Sequence, residues 1–104
     1  MIGAEEQLSA QDAETLIKQI VEDTEKVFFS NHAKERQEER DIIDMDVFNI
    51  LRKGYVNDDP TLNENGDWEC KIIYKLRGSR TAGVVVVFFV DGELLIKTVE
   101  WEDW

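Results

Sequence analysis

His32, Arg36 and Arg40 stand four residues apart. Four helical residues turn by about 400°, so each step drifts only ~40° and the three side chains would share one stripe of a helix. An imidazole exchanges protons near neutral pH. Guanidinium groups beside it can hold a phosphate and stabilise the charge of a pentacoordinate transition state. His32 would also lie in the first helical turn, where free backbone N–H groups favour an anion. Together these are the parts of a site that cleaves RNA without a metal. The same residues have a plainer reading. Arg36 with Glu39, and Lys34 with Glu38, are spaced as ion pairs that merely solvate a helix, each adding roughly a few tenths of a kcal/mol.

A second group of cations follows a period of two. Lys71, Lys75 and Arg77 share one face of a strand, and Lys97 falls on a neighbouring strand. Such a row tracks a phosphate backbone as substrate-binding residues. It equally keeps a solvent-facing sheet soluble, and Glu69 on the same face favours that reading. Cys70 alternates with apolar positions and has no base beside it, so it reads as a small buried hydrophobe. Asp58, Asp59, Glu64 and Asp67 lack the spacing of a calcium loop and read as solvated. Trp101 is expected to close the core, while Trp104 is either core or an exposed anchor.

These side chains need a frame. Ser9 with Asp12 reads as a helix cap, and Ala13, Leu16, Ile17, Ile20 and Val21 form one apolar stripe, predicting a helix over 10–23. Val27, Phe28 and Phe29 make a brief strand. Asn31 is expected to cap a mostly charged second helix over 32–40. Asp44 is expected to cap a third, with Val47, Phe48, Ile50 and Leu51 inward and Gly54 ending it in a left-handed residue. Residues 57–66 read as a polar loop. Beyond it Trp68, Cys70, Ile72, Tyr74 and Leu76 point one way. Val84 to Val90 is apolar on both faces and predicts a central strand. Asp91–Gly92 signals a hairpin turn, and 94–101 a last strand. The fold class is α+β: N-terminal helices packed on the Trp68–Leu76 face of a C-terminal antiparallel meander of three to four strands. Residues 1–26 are expected to be an acidic helical extension packed on a core domain of 27–104.

Composition narrows the partners. The formal charge is −11, which repels nucleic acid and anionic membrane at long range, so any RNA site must rest on a local basic patch. Residues 31–56 hold six acids and five bases, against an excess of five acids in each flanking segment. That middle third holds the helical stripe. One cysteine precludes an internal disulfide, and with one histidine it precludes the usual zinc spacings, so neither metal nor cofactor is expected. The longest apolar run is too short for a bilayer. Met1 to Gln7 has no basic cluster, which argues against a leader and for a cytoplasmic location.

The stretch from Phe29 through Ser30, His32, Ala33 and Arg36 to Arg40 resembles the opening motif of the domain-of-unknown-function 4258 family, F-S-x-H-A-x-x-R-x-x-x-R. The resemblance continues through Ile42 or Ile43, Val47, Leu51, Gly54 and the last two strands, covering about 27–101. That family is similar to small bacterial toxins of the RelE and MqsR type, with a helix-then-sheet, barnase-like ribonuclease fold. The resemblance therefore implies a metal-independent endoribonuclease, the toxin component of a toxin–antitoxin pair, with His32, Arg36 and Arg40 as its catalytic row. RNA, an antitoxin or other protein partner, and a homo-oligomer remain open as partners. Toxins of that type are usually basic, and the acidic excess supports a different class: a non-catalytic acidic protein-interaction or regulatory module of a mobile element, meeting a basic partner.

Overall fold

The alternation that starts at Trp68 builds the frame on which everything else rests. The computed structural model describes residues 7–103. Its helices are α1 (Ala10–Ile20), α2 (Asn31–Arg40) and α3 (Asp44–Lys53), and a 3₁₀ turn (Thr24–Lys26) follows α1. Its strands are β1 (Val27–Phe29), β2 (Tyr55–Val56), β3 (Thr61–Leu62), β4 (Trp68–Lys75), β5 (Thr81–Phe88) and β6 (Leu94–Trp101). They form one sheet in the order β1-β6-β5-β4-β2, with β3 also paired to β4. The fold is α+β, and β5 is central as its two-sided apolar pattern requires.

Two expectations about the sheet need correction. It has six strands rather than three or four, and it is mixed, because β1 runs parallel to β6. The extra strands β2 and β3 have two residues each, too short for alternation to show, and β3 lies inside the segment that reads as a polar loop. The parallel pair arises because helices and the rest of the sheet intervene between β1 and β6, as a crossover demands.

The expected core face is the observed one. Cys70, Val86 and Ile96 are cross-strand neighbours, as are Ile72, Val84 and Val99, and all six are buried. The register slips between Val85 and Val86, so Thr98 and Ile96 are their partners and Lys97 is the extra residue. This bulge is why the buried positions of β6 change from Leu94 and Ile96 to Val99 and Trp101. Above them α1 supplies Ala13, Ile17 and Ile20, and α3 supplies Val47, Ile50 and Leu51. Helix α1 also completes the sheet edge. Glu14 accepts a hydrogen bond from the Val56 N–H at 2.9 Å, Asp59 accepts from the Ala10 N–H at 2.8 Å, and Lys18 donates to the Gly54 carbonyl at 2.6 Å. An edge strand otherwise leaves such groups to water.

The helix ends depart in detail. Ser9 caps α1 as expected, accepting from the Asp12 N–H, but the helix stops at Ile20. Ser30 rather than Asn31 caps α2. Ile43 occupies the cap position of α3, and the Asp46 carboxylate, not Asp44, accepts its N–H at 3.1 Å. Gly54 is not left-handed, with φ −79°. Glycine is needed there because a Cβ would stand 2.5 Å from both the Ile50 and Ile73 carbonyl oxygens. Asp41 takes the left-handed position instead, with φ 55°. Trp101 closes the core at 3% exposure, and Trp104 lies outside the described residues. Cys70 is buried, and burial first, then the nearby charge of Glu69, pushes its thiol up to about 12. No helix among the described residues is long and apolar enough to cross a membrane.

Candidate functional site

Helix α2 is fixed to the sheet at both ends. Phe29 leads into it, packed edge-on against Phe48 with ring centroids 6.0 Å apart. The Ser30 N–H continues the β1–β6 ladder to the Ile96 carbonyl at 3.0 Å. Its hydroxyl accepts from the Ala33 N–H and donates to the Lys97 carbonyl, each at 3.0 Å. One serine thus starts the helix and ties it to β6. At the far end the Trp101 indole N–H donates to the Arg40 carbonyl, and an Arg77 N–H donates to the Asp41 carbonyl, both at 2.9 Å. Last-turn carbonyls have no intrahelical partner, so β6 and the chain after β4 supply one.

The stripe is real but not parallel to the surface. Ala33 and Gln37 are the buried residues of α2. The ~40° drift per step carries the stripe toward that buried line. His32 is exposed, the Arg36 side chain is 29% exposed, and the Arg40 side chain 21%. Along the axis the row spans ~12 Å at 1.5 Å per residue. The Glu39 carboxylate pairs with Arg36 and lies 3.7 Å from Arg40 Nη1. One anion therefore already bridges the two guanidinium groups. Half of the expected ion-pair pattern holds, because Lys34 turns away from Glu38 to Asp44 at 2.9 Å, over the Phe29 ring. A hydrogen bond from Gln37, then one from Lys34, holds the Asp44 carboxyl below its ordinary range.

The remaining candidate cations divide between the two faces of the sheet. Arg77 comes to the C-terminal end of α2, pairing with Asp46 at 2.6 Å and lying 6.0 Å from the Trp101 ring. Lys71, Lys75 and Lys97 do not. Lys71 and Lys75 alternate with the core residues of β4 and emerge on the opposite face. Lys71 pairs there with Glu100 and Glu102, and the bulge residue Lys97 pairs with Glu69 at 3.1 Å. The sheet thus separates these lysines from the helical stripe. Arg80 joins the stripe's end unannounced by any spacing. Its guanidinium lies 4.1 Å over the Trp101 ring and 3.2 Å from Asp103. Only the register of Ala82 with Trp101 could have placed it there. Among the described residues, no three His, Cys, Asp or Glu side chains gather as metal ligands, the 57–67 loop included.

What this geometry offers chemically is an exposed imidazole one helical turn from a pair of guanidinium groups sharing one carboxylate. Residues 29–101 match the family model described as a domain of unknown function, DUF4258. The chain belongs to the DUF4258 family. The DUF4258 match opens at Phe29 and closes at Trp101, the two residues that flank α2 at its docked ends. Helix α1 precedes the DUF4258 match, although its apolar residues share the core. No curated protein and no solved structure matches the chain.

Proposed function

We propose that this DUF4258 chain is a metal-independent endoribonuclease of the RelE-like toxin type, acting on single-stranded RNA through the α2 stripe. The observation that carries the reading is Glu39 shared between Arg36 and Arg40, because a carboxylate held there marks where a phosphodiester would bind. Glu39 is a half-exposed surface partner, and such pairs are worth only about 0–1 kcal/mol, so a phosphate can displace it. In the step itself the ribose 2′-oxygen attacks phosphorus and the P–O5′ bond breaks. The products are a 2′,3′-cyclic phosphate and a free 5′-hydroxyl, so a DNA strand is not a substrate. His32 takes one of the two proton transfers, as general base on the 2′-hydroxyl or as general acid on the leaving O5′, and solvent water takes the other. Arg36 and Arg40 stabilise the extra charge on the phosphoryl oxygens. Arg77 and Arg80 guide the neighbouring phosphates, in place of Lys71, Lys75 and Lys97, which face the other way.

Controlled expression in a bacterial host tests this, with growth and total RNA integrity followed together for wild type, His32→Ala and Arg36→Ala. Growth arrest with RNA loss, relieved by both substitutions, supports the reading, and normal growth with intact RNA for wild type counts against it. A second reading, a non-catalytic interaction module, takes the same Arg36–Glu39 pair together with the pairs of Arg77 and Arg80. Carboxylates already partner Arg36 on α2 and Arg77 and Arg80 in the β4–β5 turn, as they would on a purely structural surface.

A further inference from the structure

The three helices lie on one face of the sheet, and no described helix lies on the other. Along that second face Ile73 and Val85 line a hollow of about 470 Å3, and Val87, Phe89 and Leu95 line a neighbouring one of about 640 Å3. Thr61 and Glu69 line both hollows, so the two adjoin along the strands as a trough in two parts. Its walls are acidic. Asp58, Asp59, Glu100 and Glu102 surround one end, Glu64 and Asp67 the other, and Glu69 stands between them. Two lysines enter the trough, and both are already paired. Lys71 lies 3.3 Å from Glu100 and 2.9 Å from Glu102, and Lys97 lies 3.1 Å from Glu69. Seven carboxylates against two ammonium groups leave the trough strongly negative.

Gly83 shapes the floor. A Cβ there would stand 2.7 Å from Glu102 Oε2 and 2.9 Å from Lys71 Cδ. The Lys71–Glu102 pair lies close across β5 at this buried glycine, where a Cβ would push the pair outward.

We infer that this uncovered face of the sheet docks a cationic amphipathic segment of a partner protein. Lysine or arginine side chains of the segment meet the acidic walls, and its apolar side chains meet the half-buried Val85, Phe89 and Leu95, which flank the buried Val87. Charge complementarity selects the occupant. The same carboxylates repel RNA and disfavour a second copy of this acidic chain. The sheet separates the trough from the α2 stripe, so the inference does not depend on the ribonuclease reading.

The test is a titration of the isotope-labelled full chain, with binding mapped from backbone amide shifts. The probes are a synthetic peptide of about ten residues alternating lysine and leucine, a peptide alternating glutamate and leucine, and a single-stranded RNA. Expected is that the lysine peptide alone shifts the amides of Val85, Val87, Leu95 and Thr98, with its affinity lowered about tenfold in Glu100→Gln/Glu102→Gln. Glu22→Gln/Glu25→Gln removes equal charge from the segment between α1 and β1, and should change affinity by less than about twofold. Thr98→Lys places a cation on the floor while leaving Lys71 its partners, so it keeps the test decisive if the double variant fails to fold. It too should weaken the peptide. Equal loss in both double variants, or shifts spread over the whole surface, would reduce the binding to net charge and overturn the inference. So would an absence of shifts, or trough shifts caused by RNA or by the glutamate peptide.

Discussion

The Trp101 indole N–H donates to the Arg40 carbonyl at 2.9 Å, joining the last residue of the final strand to the last residue of α2. Sixty-one residues separate the two, so this bond closes the motif against the sheet only after β6 has formed. Trp101→Phe keeps an aromatic ring and removes the donor. A lost hydrogen bond that leaves its partner poorly satisfied costs about 1–3 kcal/mol. Chemical denaturation should show that loss, and amide exchange should quicken at the C-terminal end of α2 with little change in α1.

Glu39 competes with any phosphate for Arg36 and Arg40. Glu39→Gln removes that competitor and one negative charge beside the stripe. Fluorescence anisotropy with a labelled single-stranded RNA should then report affinity raised by about threefold, since an exposed pair is worth less than about 1 kcal/mol. Thermal stability should hardly move.

Gly54 is enclosed by backbone on two sides, not by flexible side chains. Gly54→Ala would press a methyl group against the Ile50 and Ile73 carbonyl oxygens, which cannot move without displacing α3 or β4. Overpacking of this kind costs about 1–3 kcal/mol. A urea midpoint lowered accordingly is expected, whereas an ordinary helix-end glycine with left-handed φ and open space would be judged by strain alone.

The long elements were legible because their patterns repeat. The period-two run from Trp68 and the two-sided apolar run before Asp91 fixed the core face and the central strand. Helix α2 was legible over 32–40 with Ala33 inward, but its cap is Ser30 and not the expected Asn31, and the burial of Gln37 was hidden because a polar residue gives no apolar period. Strands β2 and β3 were hidden, since two residues show no period. The bulge at Lys97 was hidden too, and it puts a lysine that reads as part of a strand row beside Glu69. What spacing could not supply was the partition of cations between faces. Arg77 lies just past the end of β4, so its alternation with Lys71 and Lys75 no longer fixes its side, and Asp46 draws it toward the helices.

Burial of Cys70 has a pH signature. Its thiol titrates near 12 in the folded chain against an ordinary value of 9.0. Below pH 9 both states keep the proton, and the group adds no pH dependence. As pH rises from 9 toward 12 the unfolded chain loses the proton first, so this group makes stability fall. Urea midpoints measured just below and well above pH 9 should drop more steeply for wild type than for Cys70→Ala. Equal slopes would mean that the thiol is not shifted.

The central claim is that the α2 stripe cleaves RNA with its own side chains. Its most direct measurement uses purified protein, an end-labelled single-stranded RNA and excess chelator, with the product ends identified. Expected is cleavage that persists in chelator and leaves 2′,3′-cyclic phosphate ends. It should be lowered about 100-fold or more in His32→Ala, as the loss of a general acid or base entails, and be absent on the 2′-deoxy strand. No cleavage by folded wild-type protein, or cleavage undiminished in His32→Ala, would contradict it.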